Sequence, residues 1–127
     1  MTDKPSATIL VIAEDYVFRQ DVALLLQFED FATLEAATTE GGLELARSSH
    51  PDLIVCSNTP PAVDALRLIQ ALRADPATQK LPIVTITPKA HGEAYKNAQA
   101  LGFNEFLTAP FMPDDLLNMV KARLANR

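Results

Sequence analysis

Two apolar patterns alternate along the chain. In the first, apolar residues follow one another without interruption, as expected for a parallel strand that is buried on both faces. In the second, they recur every three or four positions, as expected for an amphipathic helix. The first pattern predicts strands at 8–13, 31–36, 53–56, 81–87 and 104–108. The second predicts helices at 17–28, 39–49, 62–74 and 90–101, and a last helix that opens at Pro113.

Each predicted helix has one apolar face. The residues assigned to these faces are Phe18, Val22, Leu25 and Leu26, then Leu43 and Ala46, then Val63, Leu66, Ile69 and Leu72, and finally Leu116, Leu117, Val120 and Leu124. The pair Gly41-Gly42 weakens the prediction of the second helix, because glycine is a poor helix former.

The alternation of five strands with five helices predicts an α/β fold. We expect three layers, α/β/α, around a five-stranded parallel sheet of flavodoxin-like order 2-1-3-4-5. The run 53–56 should be central, and the weaker run 31–36 should lie nearer an edge. The 127 residues fit a single domain, in which residues 1–6 are expected to fray.

Composition and charge narrow the classes of partner. The chain is 48% hydrophobic and 21% charged, which is typical of a globular protein. A formal net charge of −5 argues against direct nucleic-acid binding, which needs a basic face. Neither a membrane span nor a signal peptide is recognisable. Cys56 is the one cysteine, so we expect a cytoplasmic protein in which this thiol is a small buried group.

Polar residues follow directly after the first and third predicted strands. Glu14 and Asp15 come after the first, and Ser57 ends the third. Sites in such sheets lie beyond the carboxyl ends of the strands, so the candidate chemistry belongs here. His50 and His91 have no ligand spacing around them and are expected to be solvated.

Several segments together resemble the receiver domain of two-component response regulators, the CheY-like superfamily, from residue 9 to residue 124. These segments are Ile9-Leu10-Val11-Ile12 followed by acids, Pro51-Asp52-Leu53-Ile54-Val55, Leu81-Pro82-Ile83-Val84, Thr87, Leu101-Gly102 and Phe106-Leu107-Thr108-Ala109-Pro110-Phe111. The resemblance implies the same fold and a role in bacterial two-component or phosphorelay signalling.

Receivers of this kind accept a phosphoryl group on an aspartate at the end of the third strand. Two acids after their first strand help to hold magnesium, a Thr or Ser ends the fourth strand, and a lysine stands just before the proline that follows the fifth strand. By this resemblance, Ser57 stands at the acceptor position, Ala13 at the first acid position and Ala109 at the lysine position. Glu14 stands at the second acid position, beside Asp15. The Thr87 and Phe106 positions are retained, and Pro110 is a candidate for a cis peptide bond.

These departures predict a degenerate form, or pseudo-receiver. Acyl-phosphate formation needs an ionised carboxylate, and phosphoryl transfer needs charge neutralisation. Ser57 and Ala109 supply neither, and Ala13 removes a magnesium ligand. We therefore expect no enzymatic activity and no cofactor, with magnesium bound weakly or not at all; Glu14 is the residue expected beside any metal.

Two alternatives stay open at this point. Ser57 could be phosphorylated with Glu14 as the base, in an atypical but active receiver. Alternatively, the crevice above Ser57 could bind a small molecule, since such folds bind ligands there.

The pseudo-receiver hypothesis assigns signalling to protein contacts. Resembling receivers use their fourth helix, fifth strand and fifth helix for partners and dimers. On this chain that face comprises Tyr95, Lys96, Gln99, Phe106, Asp114, Asp115, Asn118 and Lys121. The expected partner is a protein, such as a histidine kinase, an effector domain or a second copy, with neither direct nucleic-acid nor membrane binding.

Overall fold

A computed structural model of the chain describes residues 7–88 and 105–125. Its strands are β1 (Thr8–Ile12), β2 (Ala32–Ala36), β3 (Leu53–Ser57), β4 (Ile83–Pro88) and β5 (Glu105–Ala109). Its helices are α1 (Tyr16–Phe28), α2 (Thr39–Ser49), α3 (Ala65–Ala74) and a C-terminal helix (Pro113–Ala125). None of the described helices is long and apolar enough to cross a membrane.

The strands form one parallel sheet in the order β2-β1-β3-β4-β5, as predicted. β1 and β3 pair from Ile9 opposite Leu53 to Ile12 opposite Cys56, and β2 lies at one edge. The prediction of a central 53–56 run and an edge 31–36 run is therefore confirmed. Because all strands run the same way, their carboxyl ends meet at one edge of the sheet.

Alternate residues of the central strands contribute to two separate hydrophobic cores, one on each face of the sheet. On one face, Leu10, Ile12, Ile54 and Cys56 pack against α2 and α3. On the other face, the neighbouring strand residues pack against α1 and the C-terminal helix; these are Ile9, Val11, Leu53, Val55, Val84 and Ile86. This packing produces the predicted three layers.

Helix α3 differs from its prediction in both start and phase. It begins at Ala65 rather than at residue 62, because the Asp64 side chain caps it by accepting the amide of Arg67 at 3.2 Å. Val63 is buried, but it lies before the helix in an isolated bridge with Thr59. Leu66, predicted to face inward, is 44% exposed. The face that is buried carries Ala65, Leu68, Ile69 and Leu72.

Several predictions fall outside the described residues. They are the frayed tail at 1–6, the helix at 90–101 with Tyr95, Lys96 and Gln99, the histidine at 91, and the side chain of Phe106. His50 is described: it is exposed and ends α2 in a left-handed conformation, with φ of 49°.

Gly42 allows α2 to approach the sheet closely. Although the glycine pair weakened the prediction of this helix, α2 spans the predicted residues Thr39–Ser49. A Cβ atom built at position 42 would collide with Cδ1 of Ile12 on β1, whereas Gly42 itself is buried. The glycine therefore reflects packing against the sheet rather than a helix end.

We expect Gly42→Ala to destabilise the fold by about 1 to 3 kcal/mol, because the added methyl overpacks the core. The measurement is chemical denaturation. Adding Ile12→Val removes the colliding Cδ1 atom, so the double variant should recover part of the stability lost.

Gly41→Ala is the matched control. There the nearest atom to the added Cβ is Oγ1 of Thr38 at 3.2 Å, and the gain in helix propensity of about 0.5 to 1 kcal/mol offsets the contact. Equal losses at both glycines, or no rescue by Ile12→Val, would contradict the close-approach explanation.

Cys56 is fully buried on β3, as expected from the sequence. Burial raises the pKa of its thiol to about 12, although a contact of 3.8 Å with Oγ1 of Thr85 acts in the opposite direction. The native thiol therefore stays protonated under conditions where an unfolded thiol, with a pKa near 9.0, ionises.

Two results follow for Cys56. A thiol reagent should label it in denaturant and leave it unlabelled in native buffer, since the thiolate is the nucleophile.

The contribution of Cys56 to stability should be complete below about pH 9 and decline as the pH rises toward 12, because ionisation then favours the unfolded chain. Rapid labelling of the native protein would refute both, and Cys56→Val should remove this pH-dependent component.

Candidate functional site

A cavity of about 580 Å³ opens at the carboxyl ends of the parallel strands. Its position is the one expected for a binding site in an open α/β sheet. The lining residues are Ala13, Asp15, Phe18, Ser57, Asn58, Thr59, Ile86, Thr87, Ala109, Pro110 and Phe111. They come from the ends of β1, β3, β4 and β5 and from the loops and helix start that follow.

The cavity brings together most of the predicted site residues. Ala13, Ser57 and Ala109, which stand at the acid, acceptor and lysine positions, all line it with Thr87. Ser57 is half-buried and pairs with Ile86 in the register of β3 and β4. Thr87, the next residue of β4, is fully buried.

Glu14 differs from its prediction. It is exposed and does not line the cavity, whereas Asp15 does. The reason is local: β1 ends at Ile12, and Asp15 turns the chain into α1 as its N-cap. Glu14 therefore stands on the loop between them and not at the wall of the cavity.

Asp15 is partly committed to its helix. Its Oδ1 accepts hydrogen bonds from the amides of Val17 at 3.0 Å and Phe18 at 3.4 Å. Such caps satisfy amides that the first turn leaves unpaired. The carboxylate thus has a structural role at the mouth of the cavity.

Arg19 is a cation near the site that sequence reasoning did not single out. Its Nη1 donates to the carbonyl of Ala13 at 2.8 Å, and its Nε lies 3.1 Å from Oε1 of Glu35. The side chain is largely buried between these partners and does not line the cavity. The position of Arg19 on α1 did not indicate its contact with Glu35, because Glu35 lies on a different element, β2.

The loop after β3 supplies two further lining residues that the sequence reasoning missed. Oδ1 of Asn58 accepts the amide of Ala65 at 2.9 Å, which ties the loop to the start of α3. The backbones of Thr59 and Val63 bond to each other at 2.9 and 3.1 Å. Within the described residues, the buried Oγ1 of Thr59 has no hydrogen-bond partner.

Two aromatic rings also line the cavity. Phe18 and Phe111 meet edge to face, with ring centroids 6.4 Å apart and planes at 86°. Phe111 follows Pro110, and the peptide bond between Ala109 and Pro110 is cis. Phe18 was predicted to face the core, and it is half-buried there, but it also lines the cavity.

The lining does not suit magnesium. Magnesium is held by one or two carboxylates and other oxygens in octahedral geometry. Ala13 offers no side-chain oxygen, and Asp15 is the one carboxylate among the described lining residues. Among residues 7–88 and 105–125, no group of three or more His, Cys, Asp and Glu side chains could hold a metal ion.

The described part of the predicted contact face is polar. Asp114, Asp115 and Asn118 are exposed on the C-terminal helix, where Oδ2 of Asp115 accepts the amide of Met112 at 3.2 Å. Lys121 forms an ion pair with Glu29 at the end of α1. Its ammonium group is therefore engaged with α1.

Comparison with known sequences identifies the family. The family model for the response regulator receiver domain matches residues 9–121. The phosphate regulon transcriptional regulatory protein PhoB of Pseudomonas aeruginosa is 27% identical over 117 residues, which cover 92% of this chain and 51% of that protein. The chain therefore spans about half the length of this relative. An uncharacterized 14.6 kDa protein of Leptolyngbya boryana is 30% identical, over 89% of this chain and 86% of that protein.

Solved structures show the same architecture. A putative response regulator from Chloroflexus aurantiacus superposes with a TM-score of 0.88 at 30% identity, covering 96% of this chain and 99% of that one. The chemotaxis response regulator CheY4 of Vibrio cholerae gives a TM-score of 0.84 at 24% identity, covering 93% and 98%. With the matched family model, these similarities show that the chain belongs to the response regulator receiver domain family.

Proposed function

We propose that this receiver domain signals through protein contacts without accepting a phosphoryl group. The observation that carries the proposal is the cavity wall, where Ala13, Ser57 and Ala109 lie together. By the resemblance to receiver domains, these positions would carry an acid, the acceptor aspartate and a lysine, respectively. Because the three replacements line one cavity, together they would remove the side chains that a single reaction, phosphoryl transfer, requires.

The chemistry of the lining supports this proposal. A serine hydroxyl needs an adjacent general base before it becomes a useful nucleophile. Asp15 is the carboxylate of the lining, and it accepts two helix amides instead. The lining holds no Lys or Arg among the described residues, and the guanidinium of Arg19 is already paired with Glu35. The described lining would therefore supply no counter-charge to the charge that develops during phosphoryl transfer.

The partner we propose is a protein, such as a histidine kinase, an effector domain or a second copy of the chain. The described surface offers a candidate that was not predicted. Val17, Leu24 and Phe28 lie on one exposed face of α1, with Phe28 83% exposed. Exposed apolar side chains grouped on one helix face are a common mark of contact surfaces.

The first test is phosphorylation. Wild-type protein incubated with acetyl phosphate and magnesium should keep its intact mass. The triple variant Ala13→Asp, Ser57→Asp and Ala109→Lys restores the three groups in the same cavity and should gain a phosphoryl group. Intact-mass spectrometry measures both.

Ser57→Asp alone is the matched control. It should gain little phosphate, since it adds a carboxylate near Asp15 without the cation that would stabilise both charges. Phosphorylation of the wild type would overturn the proposal in favour of an atypical active receiver. A triple variant that stays unmodified would show that the backbone of the site also differs.

The second test is metal binding. In a calorimetric titration, wild-type protein should bind magnesium weakly or not at all, because the lining lacks the paired carboxylates that the ion needs. The triple variant should bind more tightly than wild type. Micromolar affinity in the wild type would contradict this expectation, and Glu14→Gln would then show whether Glu14 is a ligand.

A further inference from the structure

Helix α1 carries a second apolar face that the fold itself does not use. Its inner face, with Val22 and Leu26, is buried against the sheet and the C-terminal helix. On its outer face, Val17 is 64% exposed, Leu24 51% and Phe28 83%. Single exposed apolar residues are ordinary, but several on one helix face form a patch that is typical of a contact surface.

The spacing of this outer face is that of a coiled-coil seam. The exposed residues Val17, Asp21, Leu24 and Phe28 follow one another at intervals of four, three and four positions, and we call them the α1 seam. These intervals are those of the two inward positions of a heptad repeat. The seam is about 16 Å long, or three helical turns. The surface that fits it is therefore another helix with an apolar seam of its own.

One position of the α1 seam is charged. Asp21 stands between Val17 and Leu24, and its carboxylate has no ion pair with any residue that the structure describes. A partner that covers this carboxylate must pair it, because an unpaired buried charge is costly. A single polar residue in a seam also fixes the register of the two helices. The partner helix should therefore place a Lys or Arg opposite Asp21.

The surroundings of the α1 seam are acidic as well. Glu14 precedes α1 and Asp30 follows it, and both are exposed without an ion pair in the described part of the chain. The last turn of α1 contains no basic residue, so nothing on the helix offsets the negative end of its dipole near Phe28. Arg19, the one cation of α1, is largely buried and paired with Glu35. A basic partner is therefore attracted along the whole seam.

A second copy of the chain does not fit this seam. In a parallel pair of α1 helices, equivalent seam positions face each other, so the two Asp21 carboxylates would meet. In an antiparallel pair centred on the seam, each Asp21 would face an apolar Leu24 instead. The formal net charge of −5 on each copy adds repulsion. These observations favour a different protein as the partner.

We propose that the α1 seam binds a basic amphipathic helix of a partner protein. Apolar side chains of that helix cover Val17, Leu24 and Phe28, and one of its Lys or Arg residues pairs with Asp21. This inference rests on the proposed signalling through protein contacts, and it adds the chemistry of the partner. Because the seam is only three turns long, the interface is small and the complex transient.

The experiment uses two synthetic helical peptides of three heptads that differ at one position. Both carry Leu in the seam and Ala and Gln elsewhere, and the central seam position is Lys in one and Glu in the other. Each peptide is titrated into the isotope-labelled chain and followed by amide chemical shifts. The Lys peptide should bind with shifts centred on α1. The Glu peptide should bind at least about tenfold more weakly, because it places a like charge against Asp21.

Charge reversal in the seam separates a specific pair from general attraction. Asp21→Lys should reverse the preference, so that this variant binds the Glu peptide more tightly than the Lys peptide. Glu44→Lys makes the same change of charge at an exposed position of α2, on the other face of the sheet, and should keep the wild-type preference. The same two peptides are used throughout, so their own association affects every variant alike.

A second pair of variants tests the apolar contacts. Phe28→Ser should weaken binding of the Lys peptide at least about tenfold, since a large ring is lost from the contact. The ring is 83% exposed, so thermal denaturation of the free variant should show an intact fold. Leu66→Ser removes an exposed apolar side chain from α3 and should leave the affinity unchanged.

Four results are incompatible with this proposal. They are no binding of the Lys peptide at about 1 mM, equal affinity of the wild type for both peptides, an unreversed preference in Asp21→Lys, and full affinity in Phe28→Ser. None of them bears on phosphorylation. Failure here with an unphosphorylated wild type would leave signalling through another surface, whereas a phosphorylated wild type that binds the Lys peptide would overturn only the proposed signalling mode.

Discussion

The burial of β1 and β3 on both faces is the constraint from which the rest of the structure follows. Residues 9–12 and 53–56 are at most 1% exposed, so no position in these runs can carry an unpaired charge without a large cost. Polar side chains are therefore displaced to the strand ends. Because every strand is parallel, those ends converge, and the cavity forms where the chain first leaves the core. The location of the site is thus a consequence of the core.

Several polar groups around the cavity are used by the scaffold itself. Asp15 caps α1, Asn58 accepts the first amide of α3, and Asp64 caps that helix. Helix starts need such acceptors wherever they are found, because their first amides have no partner within the helix. Counting polar residues at the strand ends therefore overstates the chemistry available there. The buried Oγ1 of Thr59 has no hydrogen-bond partner among the described residues.

Features that depend on repeated local patterns were predictable from the sequence, and features that depend on one tertiary contact were not. The strands follow from apolar runs buried on two faces, and the helix Thr39–Ser49 follows from an apolar face on one side. The position of Ser57 follows from the end of the strand that it closes. The bridge between Thr59 and Val63 keeps Val63 outside α3. Leu66 was misplaced because a strict three-residue spacing drifts around a helix of about 3.6 residues per turn, so the face with Ile69 and Leu72 continues through Ala65 and Leu68. Three contacts that were not predicted join segments distant in sequence. They are the close approach of Gly42 to Ile12, the ion pair of Arg19 with Glu35, and the edge-to-face contact of Phe18 with Phe111.

On the proposal that this domain accepts no phosphoryl group, a different kind of ligand would have to shift its conformation. A ligand shifts an equilibrium only by the difference between its affinities for the two states. A phosphoryl group would obtain that difference in affinity from strong, directional electrostatic interactions, which the described lining residues of this cavity do not supply. An apolar ligand would obtain it from buried area and shape, and here both depend on how α1 and the segment after β5 hold Phe18 and Phe111. Helix α1 also carries the exposed face of Val17, Leu24 and Phe28. Occupation of the cavity and contact with a protein would then act on the same helix, from its inner and outer sides.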